Sequence, residues 1–251
     1  MKTKSLFMAG ALALGLAACG DDAENPNSAV TIIAKASVNS STSSNTGGRM
    51  ASGVALDEFK INIREIEFEF EEPELESDAE EEAWENVYED VKLRGPFEVN
   101  LLSESGAALD QLLTSTSIPN GDFEEIEFKL HKGEDTGSDM YGKSVSASGA
   151  INGTPFIFWH DTDEEFEIDF EDVNRNIELR GQSLNVILNF NLALLFDSVN
   201  GIDISGATDG NGDGIIEISP NDPDGNQELA DILKDAIEDA TDLIDDHDDN
   251  D

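Results

Sequence analysis

A single cysteine, Cys19, stands in a chain of 251 residues, so no intramolecular disulfide can staple the fold. Basic residues are scarce too: 14 Lys and Arg face 56 Asp and Glu, for a net charge of −42. Such a field repels nucleic acid and anionic head groups and attracts divalent cations, which argues against polyanionic partners. Long apolar runs are missing. The stretch from Leu6 to Leu16 falls short of the roughly 20 apolar residues that a membrane-spanning helix needs. The chain also lacks a GxSxG elbow, an HExxH helix, a CxxC pair and a phosphate-binding glycine loop, so no motif announces catalysis. The expectation is a protein that is not an enzyme.

What the N-terminus does contain has a definite order. Lys2 and Lys4 precede the apolar stretch, and Leu16-Ala17-Ala18-Cys19 closes it with two small residues and a thiol. That order predicts a lipoprotein leader: residues 1–18 removed as a signal peptide, Cys19 acylated, and residues 19–28 a lipid-anchored polar spacer. Gly20 follows the cysteine where Asp would favour inner-membrane retention, and Asp21 and Asp22 come next. In this the chain resembles lipoproteins sent to the outer membrane, on its periplasmic or its surface face. An exported chain meets an oxidising compartment. Without a second thiol its core must stand unaided, or with help from bound metal, and its length is ample for that.

Most of the remaining sequence reads as strand. Ala29 to Ala36 forms a first β segment, and Asn39 to Gly48 a polar loop. Phe59, Ile61 and Ile63 alternate with polar residues, and Ile66, Phe68 and Phe70 then alternate on the opposite parity. A bulge at Arg64-Glu65 would keep both halves facing one core. Trp84, Val87 and Tyr88 predict a return strand, Phe97 to Leu101 another after Gly95-Pro96, and Ala107 to Leu113 a short helix. Pro119-Asn120-Gly121 turns the chain into Phe123 to Leu130. Asn152-Gly153, between Val145–Ile151 and Thr154–Trp159, is a type I′ hairpin signal. Phe166 to Phe170 and Leu184 to Phe190 add strands, and Leu192 to Phe196 a short helix. The pattern predicts a mainly β protein: an antiparallel β-sandwich over residues 29–200 with a C-terminal amphipathic helix over 227–246. That helix carries Leu229, Ile232, Leu233, Ala236, Ile237, Ala240, Leu243 and Ile244 at helical spacing, packed on the sandwich, and an acidic tail, 247–251, follows it.

Residues 201–226 hold the one segment with ligand-like spacing, Asp209-Gly210-Asn211-Gly212-Asp213-Gly214-Ile215-Ile216-Glu217. Oxygens at alternate positions converge when such a loop curls around an ion. Candidate ligands for Ca²⁺ are Asp209, Asn211, Asp213, the Ile215 carbonyl, Glu217 and, from the next turn, Asp222 or Asp224. The segment looks like the calcium loops of EF-hand and dockerin-type proteins over about nine residues. It departs from them where Pro220 replaces the closing carboxylate. The alternative is an acidic glycine-rich turn leading into a short strand from Ile215 to Ile218.

Asp161, Asp163, Glu164 and Glu165 cluster in a predicted turn and would be the carboxylates of a secreted polysaccharide hydrolase. Trp84 and Trp159 would line a sugar platform in a carbohydrate-binding or adhesion module. His131 and His160 fall in strand patterns, where histidine is usually structural.

The lipobox, Ala55-Leu56-Asp57-Glu58-Phe59-Lys60-Ile61, Gly95-Pro96-Phe97-Glu98-Val99-Asn100-Leu101-Leu102, Ile118-Pro119-Asn120-Gly121-Asp122-Phe123 and Gly153-Thr154-Pro155-Phe156 together resemble an uncharacterised family of bacterial envelope lipoproteins. The likeness covers about residues 30–220 and implies a prealbumin- or transthyretin-like β-sandwich, with no activity to transfer. The resulting expectation is a non-catalytic binding or scaffold module. It would be held by lipid at the outer membrane, with a calcium-stabilised loop and an extracytoplasmic protein or glycan as partner.

Overall fold

The computed structural model describes residues 26–38, 53–71, 90–169, 177–199 and 201–245. Cys19 and its leader, the Asn39–Gly48 loop, the expected strand around Trp84, Val87 and Tyr88, and the tail 247–251 lie outside them.

Two sheets face each other. One is ordered β12-β10-β1-β4, from β1 (Asn27–Ser37), β4 (Asp110–Pro119), β10 (Ser183–Asn191) and β12 (Thr241–Asp245). The other runs β11-β7-β6-β2-β5-β8, from β2 (Val54–Phe70), β5 (Gly121–Leu130), β6 (Val145–Ile151), β7 (Thr154–His160), β8 (Glu165–Asp169) and β11 (Ile216–Ile218). Two further strands join it, β3 (Val91–Asn100) on β2 and β9 (Ile177–Leu179) on β5. Pairing is antiparallel except for β1 with β10 and β7 with β11, so the expected antiparallel sandwich holds with two parallel pairs added.

Strand alternation chose the inner faces. Val30, Ile32, Ala34 and Ala36 of β1 and Val186, Leu188 and Phe190 of β10 are buried against Phe59, Ile61, Phe156 and Phe158 of the second sheet. Each Val, Ile, Leu and Phe among them contributes roughly 1.5–3 kcal/mol. The long strand β2 keeps one core face through register shifts at Leu56/Glu58 and at Ile63/Glu65, with a third against β5 at Glu69/Phe70. Arg64 is the extra residue at Ile63/Glu65, so Ile61, Ile63, Ile66 and Phe68 are all fully buried, as the parity slip predicts. The hairpin β6–β7 turns on Asn152 and Gly153 with φ of 53° and 89°, the positive angles of a type I′ turn.

Several expectations are corrected. Ala107–Leu113 is not helical: Ala108 bridges to Leu102, and β4 begins at Asp110. Thr114, Ser115 and Thr116 suit a strand, and the open edge of β1 offers a full ladder that an isolated helical turn cannot match. Gly95-Pro96 does not precede a strand but lies inside β3, opposite the Arg64 bulge. Proline is tolerated there because β3 is an edge strand. The short helix α1 (Leu192–Phe196) forms as expected, capped by the Asn191 side chain. The C-terminal helix does not reach residue 246; α2 spans Gln227–Asp239, and Thr241–Asp245 becomes β12, antiparallel to β10. The amphipathic period ran through both because Leu243 and Ile244 happen to continue it, while the edge of β10 supplies the pairing that wins. Ala230, Leu233 and Ile237 bury the helix on the sandwich, whereas Ile232, expected in the same stripe, is 46% exposed. Among the described residues no helix is long and apolar enough to cross a membrane.

Candidate functional site

The sheet forks at Asn62. Along one edge β2 pairs with β6 from Val54 to Ile61 and with β5 from Ile63 to Phe70, while β3 runs along the other edge. Asn62 bridges the fork through its main chain: its N–H donates to Ser144 O at 2.8 Å and its carbonyl accepts from His131 N at 3.2 Å. The segment between those partners, residues 132–143, is therefore forced off the sheet. It closes on itself through Gly133 N to Lys143 O at 2.9 Å and buries Met140. Ser138 Oγ, donating to Glu98 Oε1 at 2.6 Å, and the Lys60–Asp139 ion pair tie it back to β3 and β2.

Between this loop and the bulge lies a cavity of about 410 Å³, whose lining includes Asn62, Arg64, Pro96, Glu98 and His131. Lys132, Gly133, Glu134 and Asp135 line it from the loop. Asn62 is only 3% exposed, yet its side-chain Oδ1 has no hydrogen-bond partner. The amide orientation is fixed, because Nδ2 donates to the His131 carbonyl at 2.7 Å and an oxygen placed there would face an oxygen. A buried acceptor left alone costs about 1–3 kcal/mol. Arg64 and Lys132 have no carboxylate within 4.0 Å among the described residues, in a chain rich in acids. The His131 ring rests between Asp163, at Nδ1, and Glu134, 3.5 Å from Nε2.

Beside the fork, the register stacks charges on the outer face of the sheet. Arg94, Glu65, Lys129 and Glu165 form one row across β3, β2, β5 and β8; Lys92, Glu67, Glu127 and Glu167 form the next. Glu67 is 3% exposed and accepts from Lys129 at 3.1 Å and from Lys92. Burial pushes its carboxyl up, but the two ammonium groups outweigh that and hold it below the usual range. Glu127 goes the other way, pushed up to about 7 by burial and by its hydrogen bond to Glu165, whose own carboxyl is held down chiefly by Lys129. Below about pH 7 the pair shares one proton, carried chiefly by Glu127. Glu125, Glu127 and Glu167 come within 4.8 Å of one another, as do Glu67, Glu69 and Asp90.

The acidic turn at residues 209–226 is organised by its own side chains. Asp209 accepts from Gly212 N at 2.7 Å and Gly214 N at 2.8 Å; Asn211 Oδ1 accepts from Asp213 N at 2.8 Å; Asp213 Oδ1 accepts from Ile215 N at 2.9 Å. Gly214, at φ 95°, makes the bend. Asp224 crosses the turn, accepting from Asn211 N at 3.1 Å and Glu217 N at 2.7 Å. Asp222 instead accepts from Asp224 N at 2.6 Å and from Asn226 N in its own segment. The Glu217 carboxylate is held by Trp159 Nε1 at 3.2 Å and Ser219 Oγ at 2.8 Å. Of the two closing acids weighed from the sequence, Asp224 is the one brought to the loop. Ile216 anchors the turn by entering β11 beside Phe156, and Ile215 is exposed. Among the described residues no Lys or Arg pairs with these acids.

The acids considered for hydrolysis have separate partners. Asp161 stands 4.0 Å from His160 Nδ1, Asp163 meets His131, Glu164 pairs with Lys234 at 2.9 Å, and Glu165 meets Lys129. Trp159 holds Glu217, and Trp84 lies outside the described residues. The sequence did not single out Asn62, Arg64 or Lys132 as site residues. The signals available were the parity slip at Arg64 and an asparagine set between Ile61 and Ile63 on a strand with a buried face.

Residues 51–190 match the family described as a domain of unknown function (DUF4382), a span that holds β2 to β9 and nearly all of β10. Neither a curated protein nor a solved structure matches the chain.

Proposed function

The chain belongs to the DUF4382 family, matched over more than half its length, and from that starting point we propose that it is a non-catalytic binding module of the bacterial cell envelope. Its ligand pocket is the cavity at the sheet fork. The observation that carries this reading is the cavity itself, of about 410 Å³, within the roughly 300–1,000 Å³ typical of ligand sites, with Arg64 and Lys132 on its lining and no carboxylate within 4.0 Å of either among the described residues. The lipobox supports a tether through Cys19 to the outer membrane. Spacing and charge support Ca²⁺ in the turn, held by Asp209, Asn211, Asp213, the Ile215 carbonyl and Asp224, with Glu217 and Asp222 in support. A calcium ion there would supply charge neutralisation and rigidity rather than chemistry, fixing β11 and the start of α2 against the sandwich.

The test is a small-molecule screen on the ¹⁵N-labelled full chain, with sugars, amino acids, carboxylates and amines as probes. Binding is expected to move the signals of Asn62, Arg64 and residues 131–135 together. A screen that leaves all of them in place sinks the reading.

A further inference from the structure

We infer that β4 is a docking edge for a second copy of this chain: two copies lay their β4 strands antiparallel across a two-fold axis near Ser115 and join their four-stranded sheets into one. The inference goes beyond the ligand pocket proposed above and does not depend on it.

The edges of this fold are guarded unequally. An open strand edge recruits other chains unless it is short, charged or interrupted by proline or a bulge. β9 and β11 have three residues each. β8 carries Glu165, Glu167 and Asp169, and β12 carries Asp242 and Asp245. β3 has Lys92, Arg94 and Glu98, with Pro96 among them. β4 is ten residues long, and from Gln111 to Ile118 it holds neither a charge nor a proline, in a chain of net charge −42. Its one interruption, the extra residue Leu113, leaves Thr114 to Pro119 in regular register with β1. Among the described residues β4 pairs with no other strand.

Charge selects the occupant. The outer face of the other sheet carries Glu65, Glu67, Glu127 and Glu165, so a cationic partner is drawn there and a second acidic body is repelled from it. The outer face beside β4 differs: Thr31, Ile33, Ser115, Ser117, Asn185 and Ile187 are uncharged, and Lys35 is the register partner of Asp110. Screening confines repulsion to charges within about 8–10 Å at ordinary salt, so two such faces meet as neutral surfaces. Antiparallel pairing about Ser115 also sends the two copies of Asp110 to opposite ends, about 30 Å or more apart at roughly 3.4 Å per residue.

The strand is complementary to itself as well. Thr114, Ser115, Thr116 and Ser117 put hydroxyls on both faces, and Thr–Ser pairs are favourable across antiparallel strands. One such pair already joins β4 to β1, with Thr31 Oγ1 and Ser115 Oγ 3.2 Å apart. Ile187, Ile33 and Leu112 form an apolar row across the sheet that ends on β4, where Leu112 is 61% exposed. A neighbouring β4 covers that end. Pairing consumes both open edges, so a two-fold dimer closes on itself. An interface of one short strand pair is small, which sets a dissociation constant on the order of tens of micromolar, below which the chain is dispersed.

The experiment is sedimentation equilibrium on the full chain from about 1 to 300 µM, which brackets that constant. The mean mass is expected to rise from 27.1 kDa toward twice that value and no further. Added salt should favour the dimer, because it screens the repulsion between two acidic bodies. Ser115→Glu and Ser115→Lys each set like charges opposite one another at the axis and should stay monomeric, whereas an equimolar mixture of the two should dimerise again. Ser115 is exposed and its contact with Thr31 is open to water, so both variants should melt with the parent. A parent chain that stays monomeric throughout overturns the inference. So does a dimer that both variants leave intact, a dimer that salt dissociates, or a mass that climbs past two copies. Variants that separate alone and do not recombine when mixed overturn the pairing at β4. None of these outcomes bears on the cavity, which the small-molecule screen tests separately.

Discussion

The ring of Phe59, on β2, meets the ring of Phe190, on β10, with centroids 5.8 Å apart and planes inclined at 51°. This contact joins the two sheets, and Phe196 of α1 closes on the same ring at 6.4 Å. Because the Phe59 side chain fills the space between layers, Phe59→Ala should cost about 3–5 kcal/mol. Urea unfolding would show it as a lower midpoint at unchanged slope, and a loss below 1 kcal/mol would contradict the packing described.

Glu127 sets a pH dependence of unusual sign for a carboxylate. Its folded value of about 7 lies above its ordinary 4.5, so between those values the folded chain holds a proton that the unfolded chain has released. Stability contributed by this group is therefore full below pH 4.5 and lost as pH rises through about 7. The variant Glu127→Gln should flatten that decline and melt higher than the parent at pH 8, while the two converge near pH 5. Parallel melting curves across the range would rule out the shared proton.

Calcium is expected to raise the melting temperature relative to a chelated sample. At 100 times the dissociation constant the gain is about 2.7 kcal/mol, or about 5–10 °C for a chain of this size. Asp209→Ala and Asp224→Ala should each remove the difference. Identical melting with calcium and with chelator would leave the turn as a self-bonded acidic loop.

Ending the chain after Ala240 removes β12 and bares the edge of β10. An uncovered strand edge recruits other chains, so the truncated protein should associate in sedimentation at concentrations where the full chain stays dispersed. A truncated chain that remains monomeric would show that β12 does not guard this edge.

The strands could be read from the sequence because burial on one face writes itself as alternation. Phe59 to Phe70 gave both the strand and its bulge, since a two-residue period admits an extra residue only by changing parity. Asn152-Gly153 gave the β6–β7 turn, because few residue pairs tolerate two positive φ angles. The pattern misled where the same residues satisfy two periods: Leu243 and Ile244 extend a helical stripe as readily as they occupy a strand, and Ala107 to Leu113 has helical composition beside the open edge of β1. The acidic turn was legible as a motif, but the choice of Asp224 over Asp222 depends on which carboxylate the chain folds back across Asn211.

The sequence by itself determined which segments become strands, which faces they bury, and the strongly acidic charge, all properties of local spacing and composition. The fork at Asn62 belongs to the tertiary structure alone. It arises from β5 and β6, distant in sequence from β2, meeting end to end on one edge. No local pattern can announce a cavity whose walls come from three separate stretches of chain. An asparagine acceptor becomes an unanswered one only once packing has withdrawn it from water.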